Sequence, residues 1–169
     1  GRGGIHPLEF KTFSKEMQNA ITNYCQAGGN FFVSGAYVAS DLWDNRLVKA
    51  NEEDKKFAME VLKYKWRVGQ AARNGKVKSV ASPFPEITGS YTYYQDLNPE
   101  SYVVESPDAL EPAAQGAFTI LRYSENNLSA GIAYKGNYKT CVLGFPFEAI
   151  RTVTERELLM KAILTFFEH

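Results

Sequence analysis

The apolar positions of this chain change period several times, and each change marks a predicted element. Met17, Ile21, Tyr24 and Cys25 recur three to four residues apart, which gives a helix one apolar face. Ser14 stands where an N-cap belongs, so a helix is predicted from there to about residue 27, with Gly28-Gly29 as its left-handed stop. Phe31-Phe32-Val33 is then a short continuous apolar run, the pattern of a strand covered on both faces. The small-residue turn Ser34-Gly35-Ala36 follows it. Asn51, with Asp54 at the reciprocal position, opens a second predicted helix whose buried stripe is Phe57, Ala58, Val61 and Leu62.

Beyond residue 63 the period shortens to that of strands. Residues 64–73 and 76–82 flank Asn74-Gly75, a pair that tolerates positive φ and predicts a hairpin. Ser82-Pro83-Phe84-Pro85 reads as a rigid loop, 91–94 and 102–105 as short strands, and 106–112 as a turn. Residues 117–123, 128–134 and 138–143 read as three strands whose short, turn-rich links predict antiparallel hairpins. Thr154-Glu155-Arg156-Glu157 predicts the capping box of a last helix, with Leu158, Leu159, Ala162, Ile163, Phe166 and Phe167 as its apolar stripe. No repeat or linker divides the pattern, so residues 1–169 are expected to form one α/β domain. The opening Gly1-Arg2-Gly3-Gly4 suggests a piece of a longer multidomain protein, and a chain that begins helix-then-strand leads us to expect earlier strands upstream.

Charge and composition narrow the partners. Nineteen basic residues balance nineteen acidic ones, so the formal net charge is zero. Nucleic acid and anionic membranes select a basic surface, and neither is expected as a partner. No apolar run approaches the ~20 residues of a membrane-spanning helix. Two cysteines, Cys25 and Cys141, each within an apolar pattern, read as buried free thiols, with a disulfide as the minority alternative. His6 and His169 are the only histidines, which leaves few candidates for a general base or a metal ligand. No cofactor and no metal are expected.

Two stretches resemble the class I glutamine amidotransferase-like fold, a flavodoxin-like, three-layer parallel sheet. One is the helix, Gly28-Gly29, strand and small-residue turn, where active members carry a nucleophilic Cys between glycines. The other is Gly144-Phe145-Pro146-Phe147-Glu148, which looks like the family's Gln-Phe-His-Pro-Glu segment. On that register Glu148 matches the family's Glu, Pro146 takes the place of its His, and Ser34-Gly35-Ala36 has no Cys. The resemblance implies a degenerate site, as in non-catalytic relatives such as the trimerisation domain of family 42 β-galactosidases. More narrowly, residues 28–43, Val104-Glu105-Ser106-Pro107-Asp108-Ala109 and residues 130–148 resemble part of large Bacteroides proteins that carry a xanthan lyase label. That resemblance implies an extracellular or periplasmic parent protein acting on polysaccharide.

The candidate site residues follow from the same stretches. Ser34 sits at the strand-to-turn junction, but the glycine frame of a hydrolase elbow is missing and no adjacent base is evident, so a structural role is favoured. Asp41 and Asp44 flank Trp43 and read either as helix caps and solvated charge or as a binding lip for a sugar or cation. Two carboxylates without His make a poor transition-metal site, and Ca²⁺ takes six or more oxygens. Tyr91, Tyr93, Tyr94 and Tyr102, with Trp43 and Trp66, read as core and edge packing, with a sugar-stacking platform as the alternative. We therefore expect no catalytic residue and a ligand-binding crevice at Ser34, Tyr37, Asp41, Trp43 and Glu148. The expected function is a non-catalytic interaction module that contacts neighbouring domains, a second copy of itself or carbohydrate. The alternative is part of a polysaccharide lyase or hydrolase that works through carboxylates and tyrosines.

Overall fold

Short links decide how the strands pair. Strands β1 (Phe31–Ser34), β2 (Tyr64–Val68), β3 (Lys76–Ser79), β4 (Ser90–Thr92), β5 (Ala109–Pro112), β6 (Ala117–Tyr123), β7 (Ser129–Lys135) and β8 (Lys139–Leu143) make two sheets in the computed structural model. The structure describes residues 12–43, 50–96, 99 and 102–169; His6 and Asp44 lie outside them. One sheet has the order β1-β8-β7-β6-β3-β4, and β2 pairs with β5 in the other. The links 124–128 and 136–138 are far shorter than the dozen or so residues of a parallel crossover, so β6, β7 and β8 form an antiparallel meander. Of the pairings among the described residues, β1 with β8 is the parallel one. The fold is mixed α/β; the expected parallel flavodoxin-like sheet is reduced to that single pair.

Helices cover both faces where β1, β8 and β7 lie. On one face, α1 (Lys15–Gln26) contributes Ile21 and Cys25 to a core with Leu42, Phe57, Tyr64, Leu110, Ile132 and Val142. On the other, α4 (Val153–Glu168) contributes Leu159, Ile163 and Phe166 to a core with Ile120, Leu121, Ala133, Cys141 and Leu143. Cys141 and Val142, adjacent in β8, belong to opposite cores, as alternation along a strand requires. Asn30 fixes β1 between the layers: its Nδ2 donates to the Phe167 carbonyl at the end of α4, and its Oδ1 accepts from Lys139 N at the start of β8.

The caps follow the sequence closely at the front of the chain. Ser14 accepts from Met17 N, and Gly28 takes φ +91° after α1. Asn51 and Asp54 form a reciprocal capping box on α3 (Glu52–Lys56), which continues as a π-helical stretch, Phe57–Leu62. The last helix starts earlier than the predicted Thr154 box. Thr152 is the N-cap and accepts from Glu155 N, while Glu155 Oε1 accepts from Thr92 N and so joins the helix to β4. Leu158 falls outside the buried stripe and is exposed.

Three other expectations are corrected. Asn74-Gly75 does not join a hairpin, because β2 and β3 belong to different sheets. Gly75 does take φ +63°, but its carbonyl accepts from Tyr93 N, and the Glu125 carboxylate accepts from the N–H groups of Arg73 and Asn74. The turn is thus organised by distant chain segments. Residues 109–112, expected to be a turn, form β5, whereas 102–105 form no strand.

Cys25 and Cys141 are free, fully buried thiols, and burial pushes both up from the usual thiol range. A thiol needs both access and ionisation to react. Neither is expected to react with a disulfide reagent in the folded protein at pH 8, and both should react at once in urea. Rapid labelling of one thiol under native conditions would contradict this packing.

Candidate functional site

The turn after β1 and the loop after β8 meet, as their parallel pairing dictates. Gly35 N donates to Leu143 O at 3.2 Å and extends the β1–β8 ladder by one bond. Ser34 Oγ then accepts from Phe147 N at 3.1 Å, so the serine hydroxyl holds the loop 144–148 against the elbow. Glu148, exposed on the same loop, accepts from the Tyr102 hydroxyl at 2.7 Å. Burial, then the hydrogen bond to Glu148, pushes the Tyr102 phenol well above its ordinary range.

These segments enclose an open cleft of about 240 Å³. Gly35, Ala36 and Tyr37 form one wall, Tyr102 to Glu105 the other, and Pro146 closes one side. Tyr37 and Tyr102 are 41% and 52% exposed, so two phenol rings remain available at the cleft. Of the five residues picked from the sequence, Tyr37 lines the cleft and Ser34 and Glu148 support it. Asp41 and Trp43 do not line it. Both belong to α2 (Ser40–Trp43). The Asp41 carboxylate is buried and accepts from both the N–H and the hydroxyl of Thr12. The Trp43 ring packs against the α1-side core, 6.3 Å from the Tyr64 ring. The tyrosine platform also resolves into parts: Tyr91 and Tyr93 are core, the Trp66 indole N–H is turned inward, and Tyr94 lies under the Arg151 guanidinium.

The residue that organises the elbow is Asp108, which the sequence reading noted only within a longer run. It is fully buried at the start of the β5 segment. Its Oδ2 accepts from Ala39 N and Ser40 N, each at 2.9 Å, and from the Ser40 hydroxyl at 3.2 Å. Its Oδ1 accepts from Trp66 Nε1 at 3.1 Å. Its own N–H donates to Gly144 O at 2.7 Å, and its carbonyl accepts from the Tyr123 hydroxyl at 2.7 Å. One aspartate therefore joins the elbow, β2, β6 and the loop after β8. Gly144 must be glycine here, since a Cβ would sit 2.0 Å from the Asp108 carbonyl oxygen. Backbone N–H pairs at such an elbow can stabilise an oxyanion in hydrolases; here Ala39 and Ser40 spend theirs on Asp108. The signal in the sequence was a polar residue, Asp108, set against the apolar run at Ala109 and Leu110.

Burial pushes the Asp108 carboxyl up to about 7, and the bonds from Ser40, Ala39 and Trp66 pull the other way. The ordinary carboxylate value of the unfolded chain lies below that, so the folded state holds the proton more tightly. The stabilising share of this group is full below pH ~4 and is lost as the pH rises towards 7. Asp108→Asn must turn an NH₂ towards either the Ala39 and Ser40 donors or the Trp66 N–H. We expect it to cost roughly 1–3 kcal/mol at pH 8 in urea unfolding. The variant should also lose this component of the pH 4–7 slope; an unchanged slope would show that Asp108 does not titrate in that window.

No family model matches this chain, and no curated protein matches it. Its fold is found within larger solved structures. A cold-adapted β-galactosidase from Rahnella sp. R3 superposes with a TM-score of 0.59 at 13% identity, over 91% of this chain and 21% of that one. The exo-β-1,4-mannosidase Op5Man5 from Opitutaceae bacterium strain TAV5 superposes with a TM-score of 0.50 at 10% identity, over 91% of this chain and 23% of that one. The chain thus spans between a fifth and a quarter of the length of these two glycosidases, and shares with that portion its fold.

Proposed function

We propose that this chain is a non-catalytic interaction module of a carbohydrate-active protein. The observation that carries the reading is the state of the elbow. The Ser34 oxygen accepts from Phe147 N–H, no side-chain base among the described residues bonds to its hydroxyl, and the nearby N–H donors of Ala39 and Ser40 are taken up by Asp108. A nucleophile needs an activating base and free oxyanion donors. At this elbow the described residues offer Ser34 no bonded base, and the nearby N–H donors hold the chain together instead. The fold shared with parts of a β-galactosidase and a mannosidase supports a place within such a protein, and the small share of each matched supports a module role. The amidotransferase-like frame, with Pro146 and Glu148 in the positions of the family's His and Glu, belongs to the same proposal, as does an extracellular or periplasmic parent.

Two surfaces would serve such a module. The Tyr37–Tyr102 cleft offers phenol rings for the apolar face of a sugar, with the Glu105 and Glu148 carboxylates beside them for its hydroxyls. Strand β1 lies at the edge of its sheet among the described residues and is half-buried along its length. An open strand edge is a template for pairing, so it suits a neighbouring domain or a second copy. No described helix is long and apolar enough to cross a membrane.

The test is turnover and binding by the same protein. Aryl β-galactoside and aryl β-mannoside should release no phenol above background. A neutral β-linked trisaccharide should move amide resonances at residues 35–37 and 102–105 in NMR titration, with the shifts lost in the Tyr37→Ala, Tyr102→Ala double variant. Hydrolysis that persists through purification and disappears in Glu148→Gln would overturn the non-catalytic reading. Absence of any shift at the cleft would overturn its carbohydrate role.

A further inference from the structure

A second groove, of about 510 Å³, lies where the β2–β5 ribbon meets β6 and β7. That is within the usual size of a ligand pocket. It is lined by Arg67, Glu111, Thr119, Arg122, Asn127 and Ser129, over an apolar floor that includes Leu128. We propose that this groove binds a carboxylate-bearing saccharide, a hexuronate unit, through the Arg122 and Arg67 guanidinium groups.

Both arginines adjoin β-bulges, and the one in β6 brings Arg122 to the groove. In β2, Trp66 lies opposite Leu110 and Val68 opposite Ala109, so Arg67 has no residue facing it. In β6, Thr119 lies opposite Ile132 and Leu121 opposite Gly131, which leaves Ile120 as the extra residue. Strict alternation would put Arg122 on the face opposite Thr119. The bulge instead sends both Ile120 and Leu121 into the α4-side core, where each is fully buried, and returns Arg122 to the Thr119 face. Bulges interrupt the ladder and re-aim side chains. The β6 bulge delivers the Arg122 guanidinium to the groove, and Arg67 meets it there from the exposed face of β2.

The side chains are partly pre-set. Arg122 Nη1 donates to Asn127 O at 2.7 Å, where Asn127 holds a left-handed φ of +63°. That uses one of the five guanidinium N–H groups and leaves the rest of the fork. Arg67 is paired with Glu111, both side chains about half exposed. Two cations and one anion leave the groove one positive charge, which suits a monoanion. A planar carboxylate fits the guanidinium fork in two parallel bonds. The Thr119 hydroxyl donates to Ser129 Oγ at 3.2 Å, so its oxygen still accepts from a sugar hydroxyl. The carboxylate half of this proposal rests on the arginines; the saccharide half rests on the carbohydrate reading above.

The experiment is an NMR and calorimetric titration with trigalacturonate, a neutral trisaccharide and acetate. Trigalacturonate should move the Arg67 and Arg122 side-chain resonances and the amides of β6 and β7, and bind more weakly as salt rises. Arg122→Ala should weaken binding roughly tenfold, the value of one charged hydrogen-bonded contact. Glu111→Gln, which frees Arg67 and removes the competing carboxylate, should tighten it; a gain of affinity cannot come from misfolding. Equal binding of the neutral trisaccharide in this groove, or unchanged affinity in both variants, would overturn the proposal. Acetate binding as tightly as trigalacturonate would overturn its saccharide half. A groove that binds trigalacturonate while the Tyr37–Tyr102 cleft binds nothing would sustain this site and sink the cleft.

Discussion

Asp108 takes four hydrogen bonds on a carboxylate that no water reaches, and four separate segments depend on it. Its backbone adds two further bonds, to Gly144 and from Tyr123. Burying an ionised carboxylate is costly, and that cost is offset only when its lone pairs are filled. Here Ala39, Ser40 and Trp66 fill them and offset part of the cost, while burial still holds the carboxyl up at about 7. The result constrains more than one residue. Removing any donor leaves a buried acceptor short, so the elbow, β2 and the 144 loop must arrive together. Tyr64, buried beside this centre, adds a bond from its hydroxyl to Val38 O at 2.5 Å and locks the same elbow from the β2 side.

The same contacts explain why the elbow is inert by our reading. In a catalytic elbow, strained backbone and free N–H groups are held open for a substrate. In this chain the N–H groups at the start of α2 already face the Asp108 carboxyl group. Its Oδ2 therefore fills the position an oxyanion would need at these donors. Ser34 is likewise bonded across to Phe147, and this bond sets where Pro146 and Tyr37 stand. The cleft lies beside this bonded elbow, and the Tyr37 and Tyr102 rings are its exposed aromatic surface.

How much of this was legible in the sequence depended on whether the signal was local. The caps at Ser14 and Asn51 and the strands β6, β7 and β8 are set by neighbours within a few residues, and they could be read directly. Asn74-Gly75 carried a correct local signal, a left-handed glycine, yet its hydrogen bonds go to Tyr93 and Glu125 and no pattern near it says so. Residues 109–112 contain a proline and an acid, which argue for a turn; β2 pairs with them because Leu110 is buried between the two sheets. Around the cleft, the β1–β8 pairing brings the loops of Tyr37, Ser34 and Glu148 together. Asp41 and Trp43 stand away from it, because α2 turns them towards Thr12 and Tyr64. The groove at Arg67 and Arg122 was invisible because Arg122 reaches it through a bulge, and a bulge breaks the very alternation by which strands are read.

That dependence carries a general consequence for this fold. Its two cores lie on opposite faces of one sheet, and alternation assigns side chains to them strictly along β8. In β6 the bulge sends two consecutive residues, Ile120 and Leu121, to one core. A regular strand would have placed Leu121 beside Thr119 in the groove and Arg122 in the α4-side core. There a guanidinium would be buried among Phe166, Ile163 and Cys141 without a carboxylate to pair it, at a cost of several kcal/mol. The irregularity is therefore the cheaper arrangement for this sequence. It lets the Arg122 charge reach the groove and the Asn127 carbonyl while Ile120, Leu121 and Tyr123 stay dry, Tyr123 with its hydroxyl on Asp108 O.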